Sequence, residues 1–328
     1  MSEHQLGRET IHTYFDNTLP PTLKIASGDT VVFETLEASY GRVARAVAAA
    51  PPADLAPDLA ALIAASAYPE VSTPLRGHPL TGPVAVAGAE PGDTLRVTVL
   101  AVQPGAWGWT ACGPGSGLLG DEFTERVTHI WDLRGGAWTT FAPGIRVPLA
   151  PFCGVLGVAP AEPGMHSTTP PRRAGGNLDI RQLTAGATLD LPVLVPGALF
   201  STGDVHAAQG DGEVSQTAIE TDGTVTLRFD LLKRRAVPGP QFRAPGSASP
   251  LLATSPVFAA TGHDPDLYAA AREALRGIID YLAAEHGLSR QQACILASVC
   301  VDLRISQVVN RPNWTVSALL PLAIFSEA

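Results

Sequence analysis

An α+β fold is what this sequence predicts: a β-rich body of sandwich or barrel-like mixed sheets, with a C-terminal helical hairpin packed on it. Three observations carry that reading. Short runs of alternating apolar residues fill the chain up to about Arg235. Turn signals recur between them, as at Glu90-Pro91-Gly92-Asp93, Glu162-Pro163-Gly164 and Ala185-Gly186. Beyond Pro256 the apolar period changes from that of a strand to that of a helix.

The elements follow in order. Thr30 to Glu34 (TVVFE) reads as a short strand. An Ala/Leu-rich stretch, roughly Asp54 to Ala67, reads as a helical insertion. Leu95, Val97 and Val99 alternate with Arg96 and Thr98, as a half-buried strand does. Val225, Leu227 and Phe229 repeat the pattern after a turn at Asp222-Gly223. Pro238 to Pro256 is rich in Pro, Gly, Ser and Ala and reads as a linker or surface loop. Leu267, Ala271, Leu275, Ile278, Ile279 and Leu282 then keep helical spacing until Gly287. Ser289, with Gln292 three residues on, opens a second helix whose apolar face is Ile295, Leu296, Val299, Cys300 and Leu303. A strand-like tail, Val316 to Phe325, closes the chain. Long helices alternating with strands are missing, which argues against a doubly wound sheet. The domain reading is 1–237 for a β-rich catalytic part and 238–328 for linker, helical hairpin and tail, integral to the same fold.

Composition excludes several function classes. The chain has 328 residues, 45% of them hydrophobic and 16% charged, enough to build a core. A net charge of -9, with Lys233-Arg234-Arg235 as the one short basic run, argues against nucleic acid. No run approaches the roughly twenty apolar residues of a membrane helix. The N-terminus has no apolar signal-peptide core, so a cytoplasmic enzyme is expected. Cys112, Cys153, Cys294 and Cys300 form no C-x-x-C pair, and Cys294 and Cys300 read as small buried hydrophobes.

The polar centre lies between His166 and Glu220. In Gly203-Asp204-Val205-His206-Ala207-Ala208-Gln209-Gly210-Asp211-Gly212-Glu213, glycines let neighbouring side chains converge. Asp204 and His206 are two apart, which on an extended strand places both on one face. A carboxylate and an imidazole on one face can bind a divalent metal. An Asx-turn loop with a structural histidine remains open on that spacing alone, and Glu213 and Glu220 close by strengthen the metal reading. Gly175-Gly176-Asn177-Leu178-Asp179 offers Asp179 as a further oxygen ligand and Asn177 as a group to orient a substrate carbonyl or a ligand. Upstream, His78 sits among prolines and glycines that set the backbone and leave the imidazole free. His12, His129, His263 and His286 show no partner pattern.

Long segments of the chain resemble the acetamidase/formamidase family: Gly77 to Val97, Gly175 to Val193, Pro196 to Val214, and the C-terminal stretch SRQQACILASVCVDLRISQVVNRPN. The resemblance implies C–N hydrolysis of short linear amides, a β-rich fold with helices, homo-oligomers (dimer or higher), and a divalent metal near the Asp204 to Glu213 loop. Zinc comes first, with calcium and manganese as other candidates. His78, Asp179, Asp204 and His206 are the ligand set chosen on ligand chemistry. Glu213 is assigned to carry the proton from water to the leaving nitrogen, with Glu220 as alternate, and Asn177 and Gln209 to bind substrate. A glutamate, Glu37, stands where the resemblance leads one to expect aspartate. A larger or cyclic amide, lined by Trp107, Trp109 and the Gly113 to Gly117 loop, is the second reading, and a metal that only braces an oligomer is the third.

Other amidase chemistries fit poorly. Lys24 and Lys233 are the only lysines, and neither has an activating setting. Gly115-Ser116-Gly117 completes no nucleophile elbow. Cys153 has no readable base beside it, so burial is its expected role.

Overall fold

The computed structural model describes residues 1–71, 74–237, 239–244, 256–307 and 314–325. In chain order the strands are β1 (Glu3–Leu6), β2 (Ile11–His12), β3 (Leu23–Ile25), β4 (Thr30–Thr35), β5 (Leu80–Val86), β6 (Thr94–Pro104), β7 (Trp107–Cys112), β8 (Val127–Asp132), β9 (Trp138–Ala142), β10 (Ile145–Pro148), β11 (Phe152–Gly157), β12 (Gly175–Asn177), β13 (Thr188–Pro192), β14 (Phe200–His206), β15 (Glu220–Thr221), β16 (Gly223–Leu232), β17 (Gln241–Arg243), β18 (Val257–Asp264), β19 (Asp302–Gln307) and β20 (Trp314–Pro321). The helices are α1 (Arg42–Ala49), α2 (Pro57–Ala64), α3 (Leu267–His286) and α4 (Arg290–Cys300). This is the expected α+β class, rich in strands.

Two compact units divide the chain. One takes residues 1–105, 151–206 and 221–248, the other 106–150, 207–220 and 249–328. Each gathers segments far apart in sequence, because its strands find their partners non-locally.

The first unit holds two sets of strands. In one, β1 lies parallel to β4, and β4, β16, β6, β13 and β17 follow antiparallel. In the other, β12, β11, β14 and β5 run antiparallel, and β2 and β3 also pair with β5. The alternation read at Leu95, Val97 and Val99 is the pleat of β6: all three are buried, while Arg96 turns outward and forms a two-pronged pair with Asp190 at 2.7 and 2.8 Å. Val225, Leu227 and Phe229 are fully buried on β16. Phe33 from β4, Phe229 from β16 and Phe200 from β14 meet edge to face, with centroids 5.0 to 6.2 Å apart. Each such burial contributes about 1.5–3 kcal/mol, and the three rings join both sets of strands into one apolar core. The Ala/Leu-rich insertion folds as α2, started by Pro57 and burying Leu59 and Ile63. A companion, α1, precedes it where no capping side chain marks a start.

The second unit has its own core, with Trp131, Leu275, Ile278, Leu282, Ile295 and Leu296 among its fully buried residues. Here β7 pairs with β8, β9 with β10, and β18, β20 and β19 form an antiparallel sheet. The helical hairpin is present as α3 and α4. Asp266 caps α3, and Ser289 and Gln292 form the expected capping box on α4. Two details differ from expectation. Leu267, at the first position of α3, is exposed. Helix α4 ends at Cys300, so Leu303 belongs to β19; its amide leaves the helical pattern to donate to the Asp211 carbonyl at 2.8 Å. Trp107 and Trp109 are buried on β7. Among the described residues no helix is long and apolar enough to cross a membrane.

Candidate active site

The predicted ligands His78, Asp179, Asp204 and His206 all belong to the first unit, and three elements bring them together. Strand β14 carries Asp204 and His206 and is buried along its whole length. Their convergence differs in origin from the expected extended spacing. Asp204 adopts a left-handed backbone at φ 58°, uncommon for a residue with a side chain. Oδ2 of Asp204 lies 3.4 Å from Nε2 of His206. The Phe152 ring on β11 stands perpendicular to the imidazole, 5.1 Å away, and holds its plane.

Strand β11 is the floor. Gly154 accepts the amide protons of Leu178 and Asp179 on its carbonyl, at 2.9 and 3.3 Å. That bends the chain after β12 so that Oδ1 of Asp179 comes within 3.9 Å of Nδ1 of His206. A Cβ at position 154 would stand 2.6 Å from Oδ1 of Asp179, 2.6 Å from Oδ2 of Asp204 and 3.0 Å from Cε1 of His206. The three side chains close on space that only glycine leaves. Sequence reasoning missed Gly154, although a glycine interrupting the apolar run Phe152 to Leu156 is the signal for a close approach. Asn177 donates from Nδ2 to Oδ2 of Asp179 at 2.7 Å, and its own Oδ1 is buried without a hydrogen-bond partner.

His78 approaches from the segment before β5. Its Nδ1 is 3.9 Å from Oδ2 of Asp204 and is buried without a hydrogen-bond partner. Thr168 donates to the His78 carbonyl at 3.1 Å, and the Tyr40 hydroxyl donates to the Gly77 carbonyl. Glu37 explains Tyr40. Its buried carboxylate accepts from the Ser39 amide at 2.6 Å, the Ser39 hydroxyl at 2.7 Å and the Gly41 amide. Those bonds close a turn in which Tyr40 and Gly41 take positive φ values of 57° and 75°. Glu37 thus shapes the turn that aims Tyr40. Burial above all pushes the Tyr40 phenol up, with Arg42 opposing and Asp204 adding to the shift, so it stays protonated and donates.

The donor chemistry fits a divalent cation. Nε2 of His206 and Oδ2 of Asp204, with Nδ1 of His78 facing the same oxygen, supply the mixed N and O atoms that zinc and its neighbours take, while Asp179 faces the other ring nitrogen of His206. Tetrahedral ligands at about 2.1 Å sit roughly 3.4 Å apart, the separation between His206 and Asp204. Cys153 lies beside this group with its thiol held protonated. Burial pushes its thiol up to about 12, the nearby Thr202 and His206 only partly opposing.

Gln209, Glu213 and Glu220 belong to the second unit. Gln209 is buried. Glu213 is half-buried with a left-handed φ of 41°. Its amide donates to the Gly210 carbonyl at 3.1 Å and its carbonyl accepts from Gln216 at 2.7 Å. Glu220 is buried on β15 opposite Trp109, and its Oε1 accepts from the Ala218 amide at 2.9 Å. The end of α4 anchors this loop: the Gly210 amide donates to the Ser298 carbonyl at 2.9 Å, and Asp302 accepts from the Asp211 amide at 3.0 Å.

Known proteins share this arrangement of sequence and fold. The formamidase of Methylophilus methylotrophus is 30% identical, with 76% of this chain and 77% of that protein covered. The acetamidase of Mycolicibacterium smegmatis is 31% identical over 48% of this chain and 54% of its own. Among solved structures, the gamma lactamase from Delftia acidovorans superposes with a TM-score of 0.81 at 26% identity, covering 97% of this chain and 90% of its own. The acetamidase from Bacillus halodurans gives 0.62 at 32% identity and 97% of both chains. The acetamidase/formamidase pattern matches residues 2–168 and 163–327, and this chain belongs to the acetamidase/formamidase family.

Proposed function

We propose that this amidohydrolase cleaves the C–N bond of a small linear amide, of the formamide and acetamide type, to a carboxylate and ammonia. The observation that supports this reading best is the closure of Asp179, Asp204 and His206 on Gly154, in a chain of this family. Asp179, Asp204, His206 and His78 would hold the divalent metal, zinc in our reading. When bound, such an ion lowers the pKa of a coordinated water from about 15.7 towards roughly 7 and polarises a carbonyl.

The chain's own residues supply the rest. Asn177 spends its NH2 on Asp179 and keeps Oδ1 for the N–H of a substrate amide. Gln209 is the second substrate-binding candidate. Glu213, with Glu220 as alternate, accepts the proton of the attacking water as the C–O bond forms. It returns that proton to the nitrogen as the C–N bond breaks, releasing ammonia. The protonated Cys153 thiol takes no part. A cytoplasmic homo-oligomer belongs to the same proposal, and light scattering on the purified protein reads its subunit count.

The test is ammonia release from formamide, acetamide, propionamide, benzamide and a cyclic imide by metal-quantified protein, before and after chelation. Activity on the short linear amides that disappears on chelation and returns with zinc is expected. Activity indifferent to the chelator sinks the metal assignment, and no turnover of any amide sinks the reaction. Glu213→Gln should abolish turnover at unchanged metal content; unchanged activity makes the assignment wrong. A cyclic amide is the second reading. The likeness to the Delftia acidovorans gamma lactamase favours it, and a γ-lactam added to the panel decides.

A further inference from the structure

We propose that a cavity in the first unit, walled by Arg42 and Arg45, takes the carboxylate end of the amide substrate. Monoamides of short dicarboxylic acids are then the preferred substrates; the inference rests on the amide-hydrolase reading. The cavity holds about 450 Å³ and is lined by Tyr40, Arg42, Arg45, Tyr68, Glu70 and Leu75 among others. Binding sites for small molecules run from about 300 to 1,000 Å³. Formamide or acetamide, at three or four heavy atoms, needs only a small part of that.

The chemistry of the wall is specific. Arg42 and Arg45 stand three residues apart at the start of α1, so both side chains leave the same face of the helix. Each is tied to backbone by one bond: Arg42 Nε donates to the Ser39 carbonyl at 3.0 Å, and Arg45 Nη2 donates to the Tyr40 carbonyl at 2.9 Å. Those bonds hold the guanidinium groups in place and leave most of their five donors each unused. Among the described residues neither pairs with a carboxylate. Among the described lining residues Glu70 is the one acid, so two arginines against one glutamate leave a charge of +1. Two forked donors on one wall match the planar, bidentate acceptor geometry of a carboxylate.

Tyr40 ties the cavity to the chemistry. It lines the cavity, and its hydroxyl donates to the Gly77 carbonyl, one residue from His78. Its phenol lies in the fields of the Arg42 guanidinium and the Asp204 carboxylate. The Tyr68 ring also lines the cavity and lies across Gly41; a Cβ there would overlap the ring, and the backbone stands at φ +75°. Tyr40 is thus shared: its ring lines the carboxylate-binding cavity, and its phenol lies within the field of Asp204.

The test compares kcat/KM for succinamate, glutaramate and adipamate with the neutral amides of the same length, butyramide, valeramide and hexanamide. A preference of about 10- to 100-fold for the charged member of one pair at least is expected, the range for a charge-assisted hydrogen-bonded pair. Arg42→Gln combined with Arg45→Gln should bring the ratio to near one, mainly through KM. The Lys,Lys double variant should restore part of it. Equal or better turnover of the neutral member at every length, or a ratio the Gln,Gln variant leaves in place, overturns the proposal. Should no amide be turned over at all, the hydrolase reading fails separately, and calorimetry with free glutarate then tests the cavity. Binding lost in the Gln,Gln variant supports a carboxylate site, and absence of binding to the wild type overturns it.

Discussion

Nε2 of His206 lies 3.4 Å from Oδ2 of Asp204, and both side chains close on the place where Gly154 has no side chain. Gly154→Ala therefore tests the site without touching a candidate ligand. Its methyl group would stand 2.6 Å from two carboxylate oxygens, so the carboxylates must move. A displacement near 1 Å costs on the order of 100-fold in rate. We expect kcat/KM to fall about that much, with metal content reduced and far-UV circular dichroism unchanged. Full activity would remove Asp179, Asp204 and His206 from the active site.

Asn177 orients Asp179 through a 2.7 Å bond. Partners that orient a metal-binding carboxylate are worth about 10- to 100-fold in metal affinity or activity. Asn177→Ala should lose that much, read as kcat/KM and as metal retained on dialysis. Retained metal with a raised KM would assign Asn177 to substrate alone.

Cys153→Ala should keep kcat/KM within a few-fold of wild type. The thiol is fully buried and stays protonated until about pH 12, so it offers no thiolate at neutral pH. A loss comparable to that of Gly154→Ala would make Cys153 the nucleophile.

His12 should make stability depend on pH. Its Nδ1–H donates to the Tyr14 carbonyl at 2.8 Å, and its Nε2 accepts from the Ser201 hydroxyl at 2.9 Å. Burial lowers its pKa to about 4, the Tyr14 bond opposing in part. The unfolded chain takes up this proton near pH 6.5, the folded chain only near 4. The contribution of neutral His12 is thus fully present above about pH 6.5 and is lost as pH falls from there towards 4. Over that window it amounts to about 3 kcal/mol. In urea denaturation at pH 7, 6, 5 and 4.5, the stability of wild type relative to His12→Gln should decline steadily as pH falls. A constant difference would show that His12 does not titrate in this way.

Much of the fold was legible because it is local. The alternation along β6 and β16, the Ala/Leu-rich stretch that forms α2, and the Ser289/Gln292 cap on α4 are each written within a few residues. The end of α4 was less so: Leu303 keeps helical spacing, but its amide goes to Asp211, ninety-odd positions earlier in the chain. His12 showed no partner pattern for the same reason, since Ser201 reaches it only across the paired strands.

The sequence by itself determined the class of fold, the family, and the chemical types gathered in the site: His78, Asp179, Asp204 and His206 were all visible as motif residues. Tertiary structure decided how they meet. The floor at Gly154 and the bond from the Tyr40 hydroxyl to the Gly77 carbonyl join segments far apart in the chain, while the left-handed backbone at Asp204 and the Glu37 turn are local bends that residue spacing does not show. Spacing along a strand fixes which face a side chain takes, whereas convergence depends on backbone approach, and only the paired strands set that distance.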